Sequence, residues 1–195
     1  MLFRSEAVLQ HALARHQYTH AALVGFSLGG NLTLKYTGEA AAHLPAELRA
    51  AAGISVPCDL SASSERMAQP DNAFYLRRFL RDLQSKIRAK AAQFPDRISD
   101  AGFDSIRTFR EFDDRYTAPI HGFRDAGDYY ARSSSLRYLD AIRIPTLILN
   151  ARDDPFLTPA CFPERLALNH PHVHLEQPAH GGHVGFVQFR KEGEY

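Results

Sequence analysis

Hydrophobic and polar positions divide this chain into two kinds of segment. Short apolar runs bounded by turn-forming residues read as buried strands, and longer stretches with apolar residues three and four apart read as helices. Residues 21–26, built on Ala21-Ala22-Leu23-Val24, predict the first strand, and residues 49–56 the second, ended by Pro57. Residues 146–151 predict a third strand and residues 172–177, a weaker run, the last. Helical periodicity covers residues 5–17, with Ala7, Val8, Leu9, Ala12 and Leu13 on one side, and residues 29–42 directly after the first strand. Between Pro57 and Ile144 no strand pattern occurs. That segment predicts a helix over residues 72–91, with Phe74, Tyr75, Leu76, Phe79, Leu80, Leu83 and Ile87 as its apolar stripe. A helical or turn-rich piece follows from Phe103 to Tyr116, and a third from Tyr129 to Leu139. Strands alternating with helices predict an α/β fold with a mostly parallel sheet. The expected organisation is a partial core, residues 1–57 and 144–195, interrupted by a helical insertion, residues 58–143.

The junction of the first strand and its helix carries candidate chemistry. Gly25-Phe26-Ser27-Leu28-Gly29 spells G-x-S-x-G between an apolar run and a helical one, the context of a nucleophile elbow. Ser27 is placed at the strained apex, and Gly25 and Gly29 are expected to let strand and helix pass without a Cβ clash. The helix N-terminus directs unpaired N–H groups at the point where negative charge develops, with the Leu28 N–H as the oxyanion donor. A serine hydroxyl needs a base, and the base needs an orienting carboxylate. Both occur later in the chain, in the order this elbow requires. Asp153 and Asp154 follow the third strand, and His180 and His183 lie in the glycine-containing loop after the last. Asp154 is the preferred acid because Phe156, two residues on, can plug into the core and fix the loop; Asp153 is the alternative, or caps the turn. His183 is the preferred base, with Gly181 and Gly182 giving it freedom of approach, and His180 is the alternative.

Composition sets the frame. The chain has 195 residues, 45 % of them hydrophobic, and a formal net charge of +1. That supports one core-bearing domain and gives no broad electrostatic footprint for nucleic acid. The basic residues Arg77, Arg78, Arg81, Lys86, Arg88 and Lys90 read as the solvated face of a helix. Two cysteines, Cys58 and Cys161, are too few for a disulfide framework. No run approaches a membrane span, and Met1 to Glu6 lacks the apolar stretch of a signal peptide. A cytoplasmic setting is the expectation. His170, His172 and His174 alternate, so a single strand face would present all three, a spacing that can ligate zinc. No carboxylate of a helical metal motif lies nearby.

The sequence resembles the YheT-like α/β-hydrolases, a bacterial group related to plant embryogenesis-associated hydrolases and animal abhydrolase-domain lipases. The resemblance rests on Gly25 to Asn31, Ser55 to Leu60, and Phe112-Asp113-Asp114 through Thr117 to Phe123. It rests also on Asp128-Tyr129-Tyr130, Asn150 to Phe156, and His180 to Phe186. It implies an α/β-hydrolase fold whose insertion forms a cap over the active site, with a few aromatic residues lining an acyl pocket. It implies Ser27 as nucleophile, Asp154 or its neighbour as acid and His183 as base. The implied reaction is cleavage of a small-molecule or lipid ester, without a metal or organic cofactor. Against the family pattern, the chain looks truncated at both ends, lacking the first strands and a His-Gly loop that supplies half of the oxyanion hole. The expectation is therefore weak or absent esterase activity from residues 1–195 alone, and self-association through an exposed sheet edge. An inactive or partner-dependent fragment and an acyl transferase are the rival readings.

Overall fold

Four strands, β1 (Ala21–Phe26), β2 (Leu48–Ile54), β3 (Thr146–Leu149) and β4 (Val173–Glu176), lie side by side in chain order and pair in parallel throughout. Parallel neighbours cannot be joined by a tight turn, so the chain crosses over through helical segments. The computed structural model describes residues 2–15 and 18–187, with side chains from residue 5 onward. Helix α1 (Leu2–Arg15) precedes β1, and α2 (Leu28–Glu39) joins β1 to β2. The helix expected over residues 5–17 thus begins earlier, and its last two residues lie outside the described ones. The first strand has the predicted bounds, and the other three lie at the predicted positions but are one or two residues shorter.

Residues 25, 53, 148 and 175 form one row across the sheet. Glycine at the first two positions lets α2 approach closely, and Leu34 of α2 packs there with Ile148, Val173 and Val56, all fully buried. Burial of each such side chain is worth about 1.5–3 kcal/mol. Helix α8 (Glu164–Ala167) packs against β4 on the same side, through Leu166. The other face is partly open: Val24 and Phe26 of β1 are 57 % and 54 % exposed. Among the described residues β1 is paired on one side only. Cys58 and Cys161 are buried and unbridged, and burial pushes the Cys58 thiol far up from its ordinary value.

Between β2 and β3 the chain is helical. Helix α3 (Leu60–Met67) starts from Asp59, whose carboxylate accepts the Ala62 N–H at 3.0 Å. The long α4 (Ala73–Gln93) follows, then α5 (Phe109–Phe112), opened by the Thr108–Glu111 capping box. A π-helical stretch (Asp113–Thr117), a short α6 (Ala118–Ile120) and α7 (Ala126–Ser133) complete the segment. Leu76, Leu80, Ile87, Phe103, Phe112 and Tyr116 build a second apolar cluster here, and Phe156, from the loop after β3, joins it.

Two expected apolar stripes are corrected. Phe74, Tyr75 and Phe79 of α4 are 67 %, 44 % and 42 % exposed, not core. At 3.6 residues per turn, Leu76, Leu80, Leu83 and Ile87 already occupy the inward face, and residues 74, 75 and 79 fall outside it. Val8 is likewise exposed, while Leu9 is buried and Leu13 packs beside it.

Candidate active site

Ser27 joins β1 to α2 with φ 51° and ψ −124°, a conformation that costs a non-glycine residue on the order of 1–3 kcal/mol. The backbone around it holds the strain: Ser27 N–H donates to Ile54 O at 2.8 Å, and Asn31 N–H donates to Ser27 O at 3.1 Å. A Cβ at Gly25 would lie 2.3 Å from Gly29 O, so the expected close approach is present there. At Gly29 a Cβ would meet nothing within 4 Å, whereas at Gly30 it would lie 2.7 Å from Val56 Cγ2. The second glycine this turn requires is therefore Gly30. One helical residue further on, the chain has rotated from the exposed side to the sheet. Leu28 opens α2, so its N–H belongs to the first turn, where N–H groups have no intrahelical acceptor.

Asp154 is 5 % exposed in the loop after β3. One carboxylate oxygen, Oδ1, accepts the Phe156 N–H at 2.9 Å, and Oδ2 lies 2.8 Å from His183 Nδ1. A carboxylate only accepts, so Nδ1 donates in this bond, which leaves Nε2 as the ring nitrogen free of it. The Phe156 ring packs 4.5 Å from the imidazole, centroid to centroid, so the residue expected to fix the Asp154 loop also packs against His183. Asp153 is directed elsewhere. Its carboxylate accepts the Gly182 N–H at 2.8 Å and lies 3.3 Å from Nδ1 of His180, whose side chain is 91 % exposed. The Gly182 N–H, above all, holds the Asp153 carboxyl below its ordinary value. The structure thus pairs Asp154 with His183, and Asp153 with His180 at the surface. Gly182, at φ 51°, takes the left-handed backbone that brings the loop round.

Ser27, Leu28 and His183 line one cavity of about 580 Å³. No hydrogen bond joins Ser27 Oγ to His183 among the described residues; such contacts often tighten only with substrate bound. The other walls come from the helical segment and are largely apolar: Leu60, Met67, Phe79, Leu83, Phe109 and Phe112, with Phe156 and Leu157 from the β3 loop.

Residues 3–189 match the family model described as the alpha/beta hydrolase fold. The chain belongs to the α/β-hydrolase family. It is 39 % identical to YheT of Escherichia coli (strain K12), whose name describes an esterase, over 89 % of this chain and 51 % of that protein. It is 35 % identical to phospholipase ABHD3 of Mus musculus, over 94 % of this chain and 44 % of that one. The chain therefore spans about half the length of these curated relatives. A solved α/β fold family hydrolase from Bacillus anthracis str. Sterne superposes with a TM-score of 0.50, covering 95 % of this chain and 67 % of that chain. At 16 % identity that likeness concerns the fold alone.

Several residues around this hydrolase-family site lie in segments that carry the resemblance, but the role of each rests on partners far along the chain. Ser55, directly after β2, has φ 52° and its hydroxyl accepts the Val184 N–H at 2.9 Å, next to His183. Asn150 is fully buried; its Oδ1 accepts the Val56 N–H at 2.7 Å and its Nδ2 donates to Val56 O and Cys161 O. The amide thereby ties the ends of β2 and β3. A polar cluster lines the cavity wall: Asp113 Oδ2 is 2.6 Å from Tyr130 Oη, which is 3.0 Å from Ser64 Oγ, and Asp113 Oδ1 accepts the Thr117 hydroxyl at 2.5 Å. Burial pushes the Asp113 carboxyl up, against the pull of those two hydroxyls, and pushes the Tyr130 phenol far up. The expected histidine face does not form. The His170 ring turns back so that Nδ1 accepts the N–H groups of His172 and Val173, each at 3.1 Å, and only His174 lies within β4. Among the described residues no three His, Cys, Asp or Glu side chains gather as a metal site.

Proposed function

We propose that this chain carries the catalytic machinery of a serine hydrolase that cleaves carboxylic esters through an acyl-enzyme. Ser27 Oγ attacks the ester carbonyl while His183 Nε2 takes its proton. Asp154, on Nδ1, steadies the imidazolium. The Leu28 N–H receives the oxyanion. Collapse of the tetrahedral intermediate expels the alcohol, protonated by His183; water then attacks the acyl-Ser27, giving up its proton to His183, and the acid leaves as His183 returns that proton to Ser27 Oγ. The observation that carries this reading is the 2.8 Å Asp154–His183 pair at the cavity that Ser27 also lines.

Residues 58–143 act in this reading as a cap, and the apolar cavity between cap and sheet takes the acyl chain. Lipid as well as short-chain esters fit a cavity of that character, and the phospholipase and esterase names of the relatives support the same class. A second reading, a partner-dependent module, is favoured by the open face of β1 at Val24 and Phe26.

The test is a fluorophosphonate probe with peptide mapping. An adduct on Ser27, lost in Ser27→Ala and strongly slowed in His183→Ala, is the expected result. A folded chain that takes no adduct supports the second reading. An adduct on another residue removes the mechanism.

A further inference from the structure

Helix α4 concentrates the chain's basic charge. Its 21 residues hold Arg77, Arg78, Arg81, Lys86, Arg88 and Lys90 against one acid, Asp82, in a chain whose formal net charge is only +1. Among these basic residues only Arg88 makes an ion pair within the described residues, with Asp100 at 3.6 Å. A solvated helix face accounts for the charge but not for the large apolar side chains beside it. Phe74, Tyr75 and Phe79 are 67 %, 44 % and 42 % exposed, and Phe94, just past the helix, is 45 % exposed. Exposed aromatics beside unpaired cations on one helix are the composition of a segment that lies in a membrane interface. The neighbouring side of α4, round from Phe74, Arg78 and Arg81, leads inward. Phe79 and Lys86 line the cavity, and the Tyr75 ring packs 5.0 Å from Phe156, which touches His183.

We infer that the outer face of α4 docks on an anionic lipid bilayer. Arginines 78 and 81 meet the headgroups, and Phe74 enters the boundary between headgroups and acyl chains. The occupant follows from charge complementarity together with the aromatics. A nucleic-acid backbone would satisfy the cations and leave the Phe74 edge unexplained. The cavity that Phe79 and Lys86 line lies on the neighbouring side of the same helix, so docking brings a lipid ester close to it. That last step rests on the ester-hydrolase reading; the docking does not.

The test uses the full chain with Ser27→Ala, so that turnover cannot alter the vesicles. It is sedimented with vesicles of phosphatidylcholine alone and of an equimolar mixture with phosphatidylglycerol. Binding to the mixed vesicles, weakened by salt and absent with phosphatidylcholine alone, is expected. The added change Arg78→Gln/Arg81→Gln should weaken it on the order of 20-fold, from about fivefold per basic residue at an anionic surface. Phe74→Ser should weaken it while leaving the circular dichroism spectrum unchanged. Equal binding to both vesicle types, or none to either, overturns the inference. So does tight binding of a random DNA duplex by a chain that ignores the vesicles, which would assign the face to nucleic acid. Fluorophosphonate labelling of the unsubstituted chain reports on the ester-hydrolase reading separately.

Discussion

Val184 N–H donates to the Ser55 hydroxyl across 2.9 Å, joining two residues that both hold positive φ, 61° and 52°. Ser55 directly follows β2 and is fully buried; Val184 immediately follows His183. The bond therefore seats the histidine loop on the sheet, at the cost of strain in a β-branched residue. Ser55→Ala leaves the Val184 N–H without its acceptor, and an orphaned half-buried donor costs about 1–3 kcal/mol. The expected outcome is a lower melting temperature and slower fluorophosphonate labelling of Ser27. Val184→Gly, which removes the strain, should instead raise stability by about 1 kcal/mol. Labelling of Ser55→Ala at the unsubstituted rate would show that the loop is placed by other contacts.

The two adjacent aspartates are predicted to separate sharply. Asp154 holds the His183 Nδ1 and is nearly inaccessible, whereas Asp153 binds Gly182 and His180 at the surface. Asp154→Asn keeps the shape but favours the wrong imidazole tautomer, and the loss in ester turnover should approach about 10⁴-fold. Asp153→Asn should leave turnover within the same order of magnitude. The measurement is hydrolysis of a short-chain p-nitrophenyl ester; a larger loss at Asp153 would exchange their roles.

The sheet was legible because each of its strands is an apolar run of the right length between turn signals, and because helical periodicity separates them. The elbow was legible because G-x-S-x-G falls at a strand-to-helix junction. What escaped were properties that no single segment contains. The need for glycine at position 30 rather than 29 depends on Val56, a residue of the next strand's end. The exposure of Phe74, Tyr75 and Phe79 follows from 3.6 residues per turn once Leu76, Leu80 and Ile87 are seen to face the core, and which side of an apolar-rich helix faces inward is set by its neighbours. Ser55, Asn150 and Asp113 lie in segments that carry the resemblance, but they work through partners at distances of 129, 94 and 17 residues along the chain, and no segment names its partner until the fold closes.

Asp113 offers a prediction with a definite sign. Burial raises its carboxyl above the ordinary 3.8, so the folded chain binds that proton more tightly than the unfolded chain does. Stability must then fall as pH rises from the unfolded value to the raised folded one, and stay level with respect to this group beyond it. Asp113→Asn should remove that decline, which urea midpoints measured across the acid range would register. Asp113→Ala should cost about 1–3 kcal/mol below the unfolded carboxyl value, because the Tyr130 and Thr117 hydroxyls lose their common acceptor, and less as pH rises and the stabilisation of the protonated carboxyl is lost. An unchanged pH profile in Asp113→Asn would show that the carboxyl titrates alike in both states.

Two neighbouring glycines at the elbow should respond in opposite directions to the same methyl group. At Gly29 an added Cβ meets open space on the outer side of α2. Alanine there gains helix propensity, and stability should rise by about 0.5–1 kcal/mol. At Gly30 the methyl would lie 2.7 Å from Val56 Cγ2 and 3.0 Å from Gly25 O. The first of these clashes is with a side chain that Asn150 holds through its own backbone N–H and carbonyl. Retreat is therefore blocked, and overpacking of this kind costs about 1–3 kcal/mol. The displacement would also turn α2 against β1, moving Ser27 relative to His183, so Gly30→Ala should lose fluorophosphonate labelling beyond what its stability explains. Denaturant midpoints and labelling rates on the two single variants decide it, and equal behaviour at both positions would contradict the packing described for the elbow.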